Sequence, residues 1–462
     1  MTQRFQTVDR DTAYLFPPSV QEWLPENHLA RFVVEVVDRL DLRFLEESYA
    51  GRGSAACPPR MMVGLLFYGY ATGVFSSRKL ERATYDSVAF RYIAANPHPD
   101  HDPIAEFRKR FLKQLKPIFV QILSLGQAMG FLKLGRVSVD GSKVGANASK
   151  HSALSWEHAK RLEEQLRGEV EQLLVWAEQA DAEGALDGMD IPAELARREE
   201  RLKGIEQAQA KLRARAAERY EAEKAEYDQK VARREKEAKQ RGRKPGGKEP
   251  KPPKGGVRDQ DQINLTDEES RIMPVSGGGF EQAYNAQAVV DTQSLLIVAE
   301  HVSQECNDKR QIEPALQGLA ELPKELGRVE ELLADHGYYS AKNVGHCVRG
   351  EITPYLAPGR EEHNVALTER WADAEPAPEG ADPVATMKQR LKSKVGKAVY
   401  GLRKCTVEPV FGIIKSVLGF RRFLLRGLAA VCGEWTLVSI AWNIKRLFAL
   451  RLREGRSAFS GA

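Results

Sequence analysis

Leu134-Gly135-Arg136-Val137-Ser138-Val139-Asp140-Gly141 is the stretch on which the fold turns. Residues 1 to about 130 carry helical periodicity. Here the pattern shifts to alternating, β-branched residues, and the run ends on an acid followed by glycine. It predicts a strand with a carboxylate at its C-terminal end.

Upstream, Asn27-His28-Leu29 opens an amphipathic run through Phe32, Val33, Val36, Val37 and Leu40. Pro58-Pro59 precedes an apolar run from Met61 to Tyr70, and Ser76-Ser77 caps Arg78-Lys79-Leu80-Glu81-Arg82. Asp102-Pro103 reads as an N-cap with proline at the first helical position, opening a basic helix that contains Arg108 and Lys109. Downstream, Leu162, Leu166, Val170 and Leu173 share one helix face, and Leu195, Leu202, Ile205 and Leu212 share another. Gly184, Gly188 and Pro192 lie between them, so the pattern predicts an antiparallel helical hairpin. It ends in a Lys/Arg/Pro/Gly-rich run from Arg241 to Gly256 that reads as a mobile loop.

Strands return at Tyr284–Val290 and Leu295–His301, with a turn at Asp291–Ser294. Lys309–Leu322 reads as a helix and Leu332–Asp335 as a short strand ending on an acid. Ser340 caps another helix, Ile352–Leu356 is a further strand, and residues 361–383 form an acidic, Pro/Ala-rich excursion. Without the hairpin, the order is strand, strand–strand hairpin, helix, strand, helix, strand, helix. That is the order of a ribonuclease-H-like domain.

The expected architecture is therefore α/β. An all-α N-terminal domain (1–130) precedes a ribonuclease-H-like domain (131–152 and 264–452). The helical-hairpin insert, with its basic flexible loop, follows the first strand (153–263).

Val407-Glu408-Pro409-Val410-Phe411-Gly412-Ile413-Ile414-Lys415 places a carboxylate and an ammonium seven residues apart, on one helix face. Val407, Val410, Phe411 and Ile414 form a buried stripe beside them. Pro409 belongs in a first turn, which makes Thr406 the expected cap. This pair is either a solvated surface pair or part of a site. The order of strands favours the site: Asp140 ends the first strand, Asp335 ends the fourth, and Glu408 lies on the helix after the fifth. First and fourth strands are neighbours in such a sheet, so three carboxylates converge. Hard divalent cations take oxygen ligands, and two of them about 3.5–4 Å apart support in-line phosphoryl displacement. His336, next to Asp335, points elsewhere on a strand or turn and reads as structural. His98, Asp100, His101 and Asp102 flank prolines and read as a turn, not a metal cluster.

Net charge is +5. From Lys230 to Lys254 there are eleven Lys/Arg against three Glu, so the remainder is slightly acidic and phosphate binding would come from local patches. Five scattered cysteines without a CxxC pair argue against structural zinc and fit a reducing compartment. Asp9, Arg10 and Asp11 before the first apolar cluster read as no signal peptide. Leu428–Leu450, broken by Glu434, Asn443, Lys445 and Arg446, reads as a core helix and not a membrane span. Gly277–Gly279 is a turn, and no nucleotide-binding loop is present.

These pieces, in their order, resemble a DDE transposase of a bacterial insertion sequence with a YREK-type signature. The similarity is carried by Leu15–Ser19, His28–Phe32, Ser76–Arg82, Pro99–Lys109, Val139–Lys143, Ala146–Lys150, Gln282–Gln287, Ala334-Asp335 with Gly337-Tyr338, and Val407–Gly412. The resemblance implies that Asp140, Asp335 and Glu408 are the catalytic, metal-binding triad, holding two Mg2+ (or Mn2+) ions. It implies that Tyr400, Arg403 and Lys415 contact DNA near the cleaved phosphate. Four residues separate Arg403 from Glu408 where the strict signature has three, and Lys404 stands in the strict position, so either can be the signature base. Arg78, Lys79, Arg82, Arg108 and Lys109 are candidate DNA contacts. The implied partners are terminal inverted repeats and target DNA, bound by a homodimer. The implied location is the bacterial cytoplasm, associated with the nucleoid and not with a membrane. The expected function is metal-dependent strand cleavage and strand transfer. A nuclease that cuts without joining and a non-catalytic DNA-binding scaffold are the alternatives.

Overall fold

The computed structural model describes residues 19–49, 56–183, 190–242, 246, 248–275, 277–359, 378 and 380–455. The segment Leu15–Pro18, the hairpin turn at Gly184 and Gly188, most of the 361–383 excursion, and residues 243–245 and 247 of the basic run lie outside them. The chain divides into two compact units, residues 1–145 with 284–462, and residues 146–283.

The first unit opens with helices α1 (Val20–Trp23), α2 (Leu29–Arg39), α3 (Arg43–Glu46), α4 (Pro59–Thr72), α5 (Ser77–Asp86), α6 (Val88–Ile93), α7 (His101–Phe111) and α8 (Leu115–Ala128). Proline at the first position starts α4, and Gly73 in the left-handed region ends it. The cap of α7 is Asp100, not Asp102: its carboxylate accepts from Asp102 N at 3.1 Å, and Pro103 follows inside the first turn. Ser76 occupies the N-cap of α5 without a side-chain bond. Strand β1 (Leu134–Gly145) comes next.

The second unit holds β2 (Ala153–Ser155), α9 (Trp156–Glu183), α10 (Ile191–Arg241), β3 (Gln262–Asn264) and β4 (Arg271–Pro274). Glu163 meets Gln209, Arg167 meets Glu206 and Glu169 meets Arg198, so the partners run in opposite order and the helices are antiparallel. Their seam buries Leu166, Ile205, Ala208 and Leu212 with Trp156 and Ile263. Each such aliphatic side chain contributes about 1.5–3 kcal/mol.

The basic run is only partly the free tether expected. The chain returning from α10 is irregular but docked on it. Arg234 donates to Lys248 O (3.3 Å), Arg258 pairs with Glu223 (3.0 Å), and Arg219 pairs with Asp261 (2.7 Å). Arginine–carboxylate pairs fix backbone that its prolines keep out of regular structure. Strand β4 pairs antiparallel with the first residues of β5 (Phe280–Asp291). Gly277, Gly278 and Gly279 between them all take positive φ (96°, 91° and 89°), which explains the three glycines.

The first unit resumes with β6 (Ile297–Ser303), α11 (Ile312–Ala320), β7 (Gly327–Ala334), α12 (Ala341–Arg349), β8 (Thr353–Leu356), α13 (Pro383–Lys392), α14 (Lys394–Gly412) and α15 (Leu428–Glu454). Its strands run β6-β5-β1-β7-β8, with β6 antiparallel to β5, and β7 parallel to both β1 and β8. This is a mixed α/β arrangement consistent with a ribonuclease-H-like sheet. Ser340 caps α12 by accepting from Asn343 N (3.1 Å).

Helix α15 packs on α4, α8 and β6. The polar residues that interrupt it each meet a fixed partner. Asn443 exchanges two 2.8 Å bonds with the Ile297 backbone, Lys445 reaches Ala71 O (2.9 Å), and Arg446 reaches Ser294 O (2.7 Å). Among the described residues no helix is long and apolar enough to cross a membrane.

Candidate active site

The β1–β7 register pairs Val139 with Ala334. Asp140 and Asp335 are the next residues, so two carboxylates stand at the same level of adjacent parallel strands; Asp140 lies within β1, where pairing with β7 stops, and not at the strand end that the sequence pattern predicts, because β1 runs on to Gly145. Asp335 caps a single 3-10 turn, His336–Tyr338, accepting from Gly337 N (2.8 Å). Asp140 accepts from Gly141 N (2.8 Å). Gly141 is glycine for space: a Cβ there would meet Gln287 Nε2 at 1.9 Å.

Glu408 comes from α14, but this helix does not start beside it. Ser393 caps α14 by accepting from Gly396 N (3.0 Å), and Pro409 lies in the helix interior. Thr406 is no cap: its hydroxyl donates to Leu402 O (2.7 Å). Pro409 strips the Cys405 carbonyl of its helical donor. Cys405 is exposed, so water can satisfy that carbonyl. The chain passes directly into a π-helical turn, Ile413–Val417, a form that recurs at functional sites.

The two candidates for the signature base, Arg403 and Lys404, stand in different surroundings. The Arg403 guanidinium reaches Glu408 Oε1 (3.0 Å) and lies 3.8 Å from Asp140 Oδ2, with only 14% of the side chain exposed. Lys404 is exposed. Arg403 Nε is buried without a hydrogen-bond partner. Tyr400, three residues earlier on α14, packs on the cluster of Leu333, Tyr355 and Val399. Lys415 Nζ donates to the carbonyl of Lys143 (2.7 Å), three residues past Asp140 on β1.

Burial raises the Asp140 carboxyl to about 7, and the charges of Asp335 and Asp308 push the same way against Gly141 N–H and Arg403. The hydroxyl of Tyr338 is driven up by burial and by the same three acids. Asp308, which precedes α11, therefore belongs to this neighbourhood, and sequence reasoning missed it. It falls in a connection that the strand and helix patterns leave unassigned. The available signal was the polar pair Asn285 and Gln287 on an otherwise apolar strand.

An oxygen-only donor set with a carboxyl raised by burial and, further, by like charges fits hard divalent cations, which would offset both. The acids are not drawn into a single-ion cage. Among the described residues, the group tight enough for one is Glu81, Asp100 and His101, where His101 Nδ1 lies 2.8 Å from Glu81 and 2.7 Å from Asp100. Asp100 caps α7, His101 is its first residue, and Glu81 comes from α5. His336 is exposed and turned to Ala357 O (3.3 Å).

The other expected DNA contacts divide. Arg78, Lys79 and Lys109 are exposed, and Arg82 pairs with Asp86 at the surface (3.0 Å). Arg108 is buried and is withdrawn as a DNA contact. It donates to Tyr70 Oη (3.2 Å) and Phe75 O (2.9 Å). Helical spacing puts it on the inward face with Ile104, Phe107 and Phe111.

With this geometry in place, comparison with known families is informative. Residues 18–110 match Transposase domain (DUF772), and residues 254–444 match Transposase DDE domain. Together the matches cover more than half of the chain, which belongs to the DDE transposases of insertion-sequence type. The second match includes Asp308, Asp335 and Glu408, while Asp140 lies between the two. No curated protein and no solved structure matches the chain.

Proposed function

We propose that this chain cuts DNA at the ends of its own element and joins the freed ends to target DNA, using Asp140, Asp335 and Glu408 as one phosphoryl-transfer site. The observation that carries the reading is the pair of carboxylates at the same level of adjacent strands, with Arg403 spanning from one of them to Glu408.

The three acids would hold two Mg2+ or Mn2+ ions, which when bound activate an oxygen nucleophile and stabilise the leaving oxygen. In cleavage, water attacks phosphorus and the 3′ oxygen leaves. In joining, that 3′ hydroxyl attacks a target phosphate and displaces another 3′ oxygen. Both are in-line exchanges at one centre, so a single site serves for both. Arg403 holds a preformed guanidinium, fixed against Glu408 and Asp140, beside the reacting phosphate. Lys415, tied to β1, carries positive charge to the same strand. Exposed Arg78, Lys79, Arg82 and Lys109 would contact the DNA backbone, making binding steeply salt-dependent. Two protomers, one per element end, would complete the active assembly.

The test is magnesium-dependent cleavage of DNA carrying the element's terminal repeats. Asp140→Ala, Asp335→Ala and Glu408→Ala should each abolish cutting while DNA binding persists. Unchanged cutting would support a scaffold. Cutting without joining to a second DNA would support a nuclease.

A further inference from the structure

Asn285 and Gln287 lie on β5 with no solvent exposure. A buried amide left unpaired loses its hydrogen bonds to water without replacement, so two of them on a core strand need partners. Their donors converge on an acid outside the triad. Oδ1 of Asp308 accepts from Asn285 Nδ2 (2.7 Å) and Gln287 Nε2 (2.8 Å), with Lys143 Nζ at 3.5 Å. The carbonyl end of Gln287 accepts from the Tyr338 hydroxyl, three residues past Asp335.

All of these donors hold Oδ1. Oδ2 looks elsewhere, and Gly337 shows where. A Cβ built on Gly337 would stand 3.0 Å from Asp335 Oδ1 and 3.7 Å from Asp308 Oδ2. The two acids therefore flank one gap that glycine leaves open. Asp308 is also close enough to add its charge to that of Asp335 at Asp140.

We propose that Asp308 is a fourth carboxylate of the site, presenting Oδ2 to the same divalent cations as Asp140 and Asp335. Asn285, Gln287 and Lys143 form the clamp that fixes its Oδ1. This rests on reading the site as a cation-dependent centre. The clamp gives the proposal its physical sense: a carboxylate whose rotation is already set loses little freedom on binding a cation, and the partners that orient a metal ligand typically change affinity about 10–100-fold. Lys143 Nζ, 3.5 Å from Oδ1, sets a positive charge beside the same oxygen that the two amides hold.

Mn2+ binding to the full chain without DNA, read from the free-ion paramagnetic resonance signal, tests this. Asp308→Asn keeps an oxygen for Asn285 and Gln287 but replaces one carboxylate oxygen by an amide nitrogen. It should weaken Mn2+ binding about tenfold or more. Asn285→Ala, which leaves all four acids in place but removes one donor from Asp308 Oδ1, should weaken it too and carries the test if Asp308→Asn folds poorly. If both bind Mn2+ as the wild type does while Asp335→Asn loses it, the role of Asp308 is overturned and the triad stands. If Asp140→Asn and Asp335→Asn also bind normally, the reading of the whole site fails.

Discussion

Two carboxylates held out of bulk water in the first unit, the buried Glu434 and the half-buried Asp140, face the same problem and resolve it differently. Glu434 is fully buried on α15 and surrounded by donors: Tyr70 Oη (3.0 Å), Leu424 N (2.9 Å) and Leu425 N (3.1 Å). Burial raises its pKa, and those donors with the nearby Arg108 charge oppose the rise. Asp140 has one backbone donor and a more distant guanidinium, and its other near neighbours are acids. A carboxylate enclosed by donors is structural. A carboxylate enclosed by carboxylates is stable only with a proton or a cation, and that contrast marks the site more clearly than depth of burial does.

The comparison can be broken in several ways. The largest effect is expected in catalysis. Asp140→Asn should lower strand cleavage at least about a thousandfold, whereas Glu434→Gln should leave cleavage by the folded protein within a few-fold, as gel assays of end-bearing DNA would show. Stability should respond in the opposite sense. Glu434→Ala strips Tyr70 and two backbone N–H groups of their acceptor and should cost about 3 kcal/mol in denaturant unfolding. Asp140→Asn should not destabilise the metal-free protein at neutral pH.

Next comes Arg403→Ala, expected to lower cleavage about a hundredfold against little change for Lys404→Ala. Equal losses would return the ambiguity between them.

A smaller effect concerns pH. Asp140 holds its proton up to about 7 when folded, against 3.8 for an ordinary aspartate. Between those values the unfolded chain releases the proton first, so the contribution is full below about 4 and lost as pH rises through about 7. The metal-free wild type should lose stability relative to Asp140→Asn across that window in a series of urea melts. Parallel curves would show that Asp140 is not the strained acid described here.

The strands were legible because their apolar alternation is strong, and Asp335 follows the end of β7 as expected, whereas β1 continues five residues past Asp140 because polar Ser142 and Lys143 hide the strand from an apolar pattern. Tyr284–Val290 and Leu332–Asp335 fall within a residue or so of β5 and the end of β7, although β5 begins four residues earlier and β7 five. What failed was local. Pro409 pointed to a helix start because an interior proline normally breaks a helix, but an exposed face and a π-turn absorb it. Arg108 was read by composition as a DNA contact when its spacing with Ile104, Phe107 and Phe111 put it inward. Asp308 was invisible because its partners, Asn285, Gln287 and Lys143, come together only when β1 and β5 lie side by side. The choice between Arg403 and Lys404 likewise depends on side-chain reach across to β1, which spacing along one helix does not contain.

The central claim is that Asp140 on β1 and Asp335 just past β7 act with Glu408 as one cation-dependent centre. The most direct measurement is joining of a pre-cleaved element end to target DNA in Mg2+, comparing wild type with Asp335→Asn under conditions where both bind the end. The account predicts joined product from the wild type and none from the variant, with end binding unchanged. Equal product from both would contradict it.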